Sequence, residues 1–255
     1  MRGEALLWRA ASFLAAAGFV ALWQLVADLA LVSPVFLPGP DRAFAALLRG
    51  LREGDLGGKI LGTLDHMALG WLAASIVGVG LGALVGSSRA MRTYVAPTLE
   101  FLRPLPVSAI IPVAIALFGL TRGMAIFVIA FGALWPTLLA TVHGFAAVEP
   151  RLYEVARSLQ MPRPAVIFKI ALPSAGPDIL SGMRLSLTVA LILSVVCEML
   201  AGLDGLGHWV LLSARAFRSA ELFAGVILLG AIGYVTALAM NGVEARLLKW
   251  RARGQ

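Results

Sequence analysis

The stretch EPRLYEVARSLQMPRPAVIFKIALP, Glu149 to Pro173, is a long polar interruption in an otherwise apolar second half of the chain. Pro150 suits the first position of a helix, and Leu152, Ala156 and Leu159 then recur at i, i+4 and i+7 on one helical face. Further prolines end this helix, and an apolar helical pattern resumes before the stretch closes. The segment therefore predicts a short amphipathic helix, a turn and a second helix, held outside the membrane.

These residues resemble the EAA loop of the permease subunits of bacterial ABC importers. The positions that match that motif are Glu154, Ala156, Phe168, Ile170, Leu172 and Pro173. Val155 replaces the middle alanine of the motif, and the spacing is intact. The resemblance implies a coupling helix that docks into a groove on a separate ATPase subunit. The residues implied in that docking are Arg151, Glu154, Ala156, Arg157, Leu159 and Gln160.

Gln160 departs from the family pattern, because the family has glycine at that position. A residue other than glycine in a left-handed turn costs about 1–2 kcal/mol. We therefore expect the turn to be formed differently, with Pro162 as the candidate turn residue. The alternative for the whole segment is an ordinary basic cytoplasmic loop with an interfacial helix.

Composition places the chain among integral membrane proteins. Hydrophobic residues make up 60% of it and charged residues 14%, and its mean hydropathy is +0.89. The net charge of +7 comes from basic residues at the ends of apolar runs, without an aromatic-basic binding motif, so nucleic acid is not an expected partner. The single cysteine, Cys197, lies in an apolar run and predicts packing rather than a disulfide or a metal site.

Six apolar runs are long enough to cross about 30 Å of hydrocarbon. They are Ala10 to Val32, Leu61 to Ser87, Phe101 to Gly119, Met124 to Val142, Pro177 to Ala201 and Leu222 to Asn241. The first run is longer than a signal-peptide core, and the last ends in Arg246, Lys249, Arg251 and Arg253. We predict an all-α, six-span domain over residues 1–255 in the bacterial inner membrane, with both termini cytoplasmic.

Two spans have distinctive internal patterns. Gly78, Gly82 and Gly86 recur every four residues in the second span, which predicts close packing against another helix. The third span has prolines in its first half, which predicts a broken helix near a translocation path or a structural kink. Between the fifth and sixth spans, Gly202 to Glu221 predicts a loop on the outer side that holds a short helix.

The phrases FLPGP and FLRPLPVSAIIPVAIALFG, at Phe36 to Pro40 and Phe101 to Gly119, resemble the permease subgroup that serves sulfonate, taurine, nitrate, bicarbonate and pyrimidine-precursor importers. The resemblance implies a small anion or polar organic solute, with sulfonates or taurine first. A turn before a surface helix is the alternative for the first phrase, and a structural kink is the alternative for the second.

Candidate path residues lie on the fifth span. Glu198 and Thr188 share a helical face with Arg184, and ionisable residues within spans usually face the bundle interior. Thr188, Ser194 and Glu198 are therefore candidates for the substrate path. An interfacial salt bridge is the favoured alternative for Glu198. Asp65 and His66 are expected at the membrane interface, with a metal or catalytic role as the minor alternative.

No enzyme motif accompanies the spans. The chain has no Walker A sequence and no paired serine and histidine of an intramembrane protease. A permease of this type therefore needs ATP and Mg bound in a partner ATPase and no cofactor of its own. The other implied partners are an extracytoplasmic substrate-binding protein, a second permease copy in a homodimer, and membrane lipid. The competing class is a self-sufficient secondary transporter or channel, which needs ion-coupling carboxylates or an inverted repeat.

Overall fold

The computed structural model describes residues 2–249, and within that range the chain is helical with no β-strand. The helices are α1 (Arg2–Asp28), α2 (Pro40–Arg52), α3 (Leu56–Gly86), α4 (Arg89–Leu102), α5 (Val107–Phe118), α6 (Arg122–Ala146), α7 (Pro150–Ser158), α8 (Arg163–Val166), α9 (Leu172–Ala201), α10 (Leu206–Arg215) and α11 (Ser219–Leu247). A π-helical turn, Ile167–Ala171, joins α8 to α9. The predicted all-α class is confirmed, while Met1, Arg251 and Arg253 lie outside the described residues.

Four segments of the described chain are long and apolar enough to cross a membrane alone, namely α3, α6, the continuous stretch Arg163–Ala201, and α11. α4 and α5 make a fifth crossing if they cross as one bent pair, since they meet at an angle of 87°. The remaining predicted crossing, Ala10 to Val32, falls in α1, whose apolar stretch Leu14–Asp28 is shorter than these spans. The described residues therefore give four crossings, or five with the bent pair, where the sequence predicted six.

The centre of the bundle is α6, which packs against both α3 and α9. A Cβ atom built at Gly78 of α3 would lie 3.2 Å from the backbone nitrogen of Leu138, and one at Gly82 would lie 2.8 Å from the Leu138 carbonyl oxygen. The two backbones approach this closely because the glycines carry no side chain. The predicted packing role of the glycine stripe is confirmed. Val128 and Ile129 of α6 are fully buried in the same core.

The third span is broken, as its prolines predicted. Pro104 and Pro106 lie between α4 and α5, where a helix would leave carbonyl groups without donors. α4 begins at Arg89, before the apolar part of this span. The Ser88 side chain accepts a hydrogen bond from the backbone N–H of Met91 at 3.4 Å and caps the helix that contains Arg92.

The first span ends earlier than predicted. α1 stops at Asp28 because Ala30 adopts a left-handed backbone with φ of 49°. The N–H of Leu31 then donates to the carbonyl of Val26 at 3.4 Å, which closes the helix end.

The fifth span begins earlier than predicted. The second helix of the polar stretch is continuous with it through Ile167–Ala171 and α9, rather than ending at Pro173. Pro173, which has no N–H, directly follows the π-helical turn, in which the Leu172 N–H donates to the Ile167 carbonyl and the α-helical hydrogen-bond pattern is already interrupted.

The helices end at two sides of the bundle. At the loop end, α7 lies against the ends of α3 and α6, near Gly86 and Ala146. At the far end, Lys59 pairs with Asp204, and Arg122 pairs with Asp65 at 2.6 Å. The short helix predicted between the last two spans is α10, which also lies at the far end.

Candidate functional site

α7 carries the predicted coupling residues and presents two different faces. Leu152, Val155 and Leu159 are 39%, 55% and 68% exposed, and we call them the outward face of α7. Ala156 is 2% exposed and packs inward, and Tyr153 is half-buried. The face predicted to be common to Leu152, Ala156 and Leu159 is therefore divided, since only Ala156 meets the bundle. An exposed apolar face on a short helix is typical of a surface that docks against a partner.

The charged and polar coupling candidates on α7 and beyond it are open to solvent. Arg151, Glu154, Arg157 and Gln160 are all exposed. Arg151 Nε lies 3.9 Å from a carboxylate oxygen of Glu149, and a pair this open to water contributes little to stability. These side chains are thus available to another protein, and their coupling roles stay predictions.

Gln160 adopts a left-handed backbone with φ of 50°, at the position where the family has glycine. The expectation that Pro162 forms the turn instead is wrong. The N–H of Met161 donates to the carbonyl of Ala156 at 3.0 Å, and the N–H of Gln160 donates to that of Arg157 at 2.9 Å. This pair of bonds satisfies two carbonyl groups at the helix end and offsets the cost of the strained residue.

We expect Gln160→Gly to raise the free energy of unfolding by about 0.5–1 kcal/mol, because relief of the left-handed strain exceeds the added flexibility of the unfolded chain. Thermal unfolding of the purified chain in detergent measures this effect. Val155→Gly, inside the right-handed part of α7, is the control and should lower stability by about 1 kcal/mol. A Gln160→Gly chain less stable than wild type would contradict the assigned turn.

Behind α7 lies a groove of about 890 Å³, which we call the α7 groove. It is formed by the ends of α3, α4 and α6 together with α7 and α8, and Arg92, Tyr153, Glu154, Arg157 and Arg163 are among the residues that line it. Burial raises the pKa of the Tyr153 phenol, and the nearby Arg92 guanidinium partly opposes that rise. The residues of the outward face do not line this groove.

At the far end, Glu198 is fully buried in a polar network that ties three helices together. Its carboxylate accepts hydrogen bonds from the Thr63 hydroxyl at 2.9 Å and the Gly207 N–H at 2.8 Å, and His66 Nδ1 lies 3.1 Å from it. The Thr63 hydroxyl oxygen also accepts the N–H of Leu206 at 2.8 Å. The network thus joins α3 and α9 to the first turn of α10, where free backbone N–H groups favour a carboxylate.

The interfacial position expected for Glu198 is wrong, because the side chain is fully buried, and its partner His66 lies with it inside the bundle. Sequence reasoning also missed Thr63, whose spacing of three residues from His66 places both on one face of α3. Gly205 was a further sequence signal of the buried acid, because a Cβ atom there would fall 2.2 Å from the Glu198 carboxyl carbon. Two glycines around Leu206 leave room for the buried acid.

The three path candidates do not share one surface in the described chain. Thr188 is exposed, Ser194 is buried and donates to the Leu191 carbonyl at 2.9 Å, and Glu198 belongs to the far-end network. Arg184 pairs instead with Glu244 of α11. Their path roles stay predictions.

Asp65 and His66 point to different partners, since Asp65 pairs with Arg122 while His66 meets Glu198. Among residues 2–249, no group of three His, Cys, Asp or Glu side chains is placed to hold a metal ion.

The chain matches the family model "Binding-protein-dependent transport system inner membrane component" over residues 76–251. It is 34% identical over 232 residues to the "Putative aliphatic sulfonates transport permease protein SsuC" of Bacillus subtilis (strain 168), covering 91% of this chain and 84% of that protein. It is 28% identical over 239 residues to the "Taurine transport system permease protein TauC" of Escherichia coli (strain K12), covering 92% and 87%.

The fold is similar to that of a solved chain of the MetNI methionine ABC transporter in an inward-facing conformation. The TM-score is 0.67 at 17% identity, and the match covers 75% of this chain and 95% of that one. The sequence match includes the loop that carries α7, and the structural match agrees with the helical bundle described above. The chain belongs to the binding-protein-dependent transport system inner membrane components, the permease subunits of ABC importers.

Proposed function

We propose that this permease carries aliphatic sulfonates, including taurine, into the cytoplasm. The observation that carries the transport role is the exposed apolar outward face of α7, presented at one end of the bundle by the loop that resembles the EAA loop. The names of two similar permeases support the substrate class, because they specify aliphatic sulfonates and taurine. Nitrate, bicarbonate or a pyrimidine precursor is the second choice of solute.

In this proposal the free energy for transport comes from ATP hydrolysis by a partner protein. The sequence has no phosphate-binding loop, so ATP and Mg are bound by a separate ABC ATPase that docks on α7. Two permease copies form a homodimer and offer one α7 to each of two ATPase subunits. ATP-driven closure of the ATPase pair brings the two copies of α7 together and biases the bundle between its two states.

The loop end faces the cytoplasm together with both termini, and the far end meets the substrate-binding protein outside the membrane. The outer ion pairs and the Glu198 network then hold α10 and the loop around Asp204 as a stable platform for that protein. Thr188, Ser194 and Glu198 are the proposed path residues of α9. Selectivity rests largely with the binding protein.

Uptake by reconstituted complexes tests the proposal. The tagged chain is purified from native membranes, and the copurifying proteins are identified by mass and reconstituted in liposomes. We expect a copurifying ATPase, taurine uptake that needs ATP and the binding protein, and loss of both the ATPase and uptake in Glu154→Lys. Uptake by the chain alone without ATP would move the function to a secondary transporter, and uptake of nitrate in place of taurine would overturn the substrate class.

A further inference from the structure

Three arginines converge on the α7 groove from three different helices. Arg92 comes from α4, Arg157 from α7 and Arg163 from α8. The ion pairs formed among the described residues include none of these three. Among the described residues that line the groove, one side chain is acidic, Glu154. Three guanidinium groups therefore face one carboxylate there. A cleft with one dominant sign of charge concentrates ligands of the opposite sign.

Arg92 supplies a second, independent observation. Its Nε atom is shielded from solvent and has no hydrogen-bond acceptor among residues 2–249. Buried donors in proteins nearly always have an acceptor, and a guanidinium binds oxyanions through pairs of N–H groups. Because Arg92 lines the groove, an oxyanion bound there would lie beside a guanidinium whose Nε–H has no acceptor among the described residues.

The apolar part of the proposed coupling surface lies outside this groove, while Glu154 and Arg157 belong both to the predicted coupling residues and to the groove lining. The outward face, Leu152, Val155 and Leu159, lies on the other side of α7. The groove volume of about 890 Å³ is at the upper end of the range of about 300–1,000 Å³ for small-molecule pockets, so it can hold an oxyanion with an organic part. Phe145, Val148 and Ile167 supply apolar wall for that part.

We propose that the α7 groove binds a ligand with a phosphate, sulfate or sulfonate group, held between Arg92, Arg157 and Arg163. Two sources share this chemistry, a soluble oxyanion and the headgroup of an anionic phospholipid. Such a ligand joins α4 to α7 and α8 and so stabilises the position of the coupling helix. The binding does not depend on the proposed transport function, whereas its effect on coupling rests on that function.

The test uses the full chain without its partners, so it is independent of transport. One arm titrates sodium sulfate by calorimetry into the chain in phosphatidylcholine nanodiscs, with chloride adjusted to keep ionic strength constant. The other arm counts phosphatidylglycerol molecules retained by the chain in native mass spectrometry. We expect saturable binding in at least one arm, and we expect Arg92→Gln and Arg157→Gln each to weaken it about tenfold, since each removes a charge-assisted contact.

Two further variants separate binding from folding. Glu154→Gln removes the opposing carboxylate and should tighten binding severalfold, an effect that a folding defect would not produce. Arg246→Gln is the matched control, because Arg246 is exposed near the end of α11 and does not line the groove. Sulfate binding alone identifies a soluble oxyanion site, and lipid retention alone identifies a headgroup site. No saturable binding in either arm, or equal binding by wild type and Arg92→Gln, overturns the proposal.

Discussion

Glu198→Ala is expected to lower the free energy of unfolding by about 3–5 kcal/mol, the cost of removing one partner from a buried ionic or hydrogen-bonded group. The Thr63 hydroxyl and the Gly207 N–H, at 2.9 and 2.8 Å from the Glu198 carboxylate, would lose the acceptor that they share. His66 would lose its contact with the same carboxylate. Each buried donor left without an acceptor costs about 1–3 kcal/mol. Unfolding of the purified chain in mixed micelles, followed by circular dichroism, measures the loss.

Glu198→Gln is the matched variant, since it keeps the length of the side chain and one carbonyl acceptor. If Glu198 serves only to bind α3 and α10, this variant should be within about 1 kcal/mol of wild type and should transport normally. A stable Glu198→Gln chain that fails to transport would instead support the path role of Glu198. An Ala variant as stable as wild type would show that the network does not hold the far end together.

Local patterns predicted much of this fold. The glycine stripe of α3 predicted a close helix contact, because glycines without side chains let a neighbouring backbone approach whichever helix that is. The structure shows Gly82 packed against α6. The break between α4 and α5 followed from proline chemistry in the same way. The short polar helix α7 followed from Pro150 and the spacing of apolar residues.

The site was harder to predict, because its residues are far apart in the sequence. Thr63 and Glu198 are separated by 135 residues, and only the packing of α3 against α9 makes them neighbours. Hydrophobic periodicity predicts which residues face the bundle and does not pair polar groups across it. Gln160 was misjudged for another reason, because its left-handed cost was weighed without the two hydrogen bonds that the turn forms.

Val155→Asp together with Leu159→Asp is expected to abolish ATPase recruitment while leaving the isolated permease folded. Both side chains are exposed, at 55% and 68%, so their replacement should change the stability of the isolated chain by less than about 0.5 kcal/mol. In the proposed complex the same positions are desolvated, where each central apolar residue contributes about 2 kcal/mol or more. A combined loss of about 4 kcal/mol weakens binding roughly a thousandfold. Copurification of the ATPase and ATP-dependent uptake in liposomes measure the loss.

Phe44→Asp is the control for this prediction, because Phe44 is 60% exposed on α2, away from the loop end. It introduces one carboxylate at an equally exposed apolar position and should retain the ATPase. If the α7 double variant also retained the ATPase, the outward face could not be the docking surface, and the recognition would have to lie with the charged residues Arg151, Glu154 and Arg157. If both variants lost the ATPase, the loss would reflect a general effect of surface charge. Loss in the α7 variant alone requires that the apolar outward face of α7 takes part in binding the ATPase.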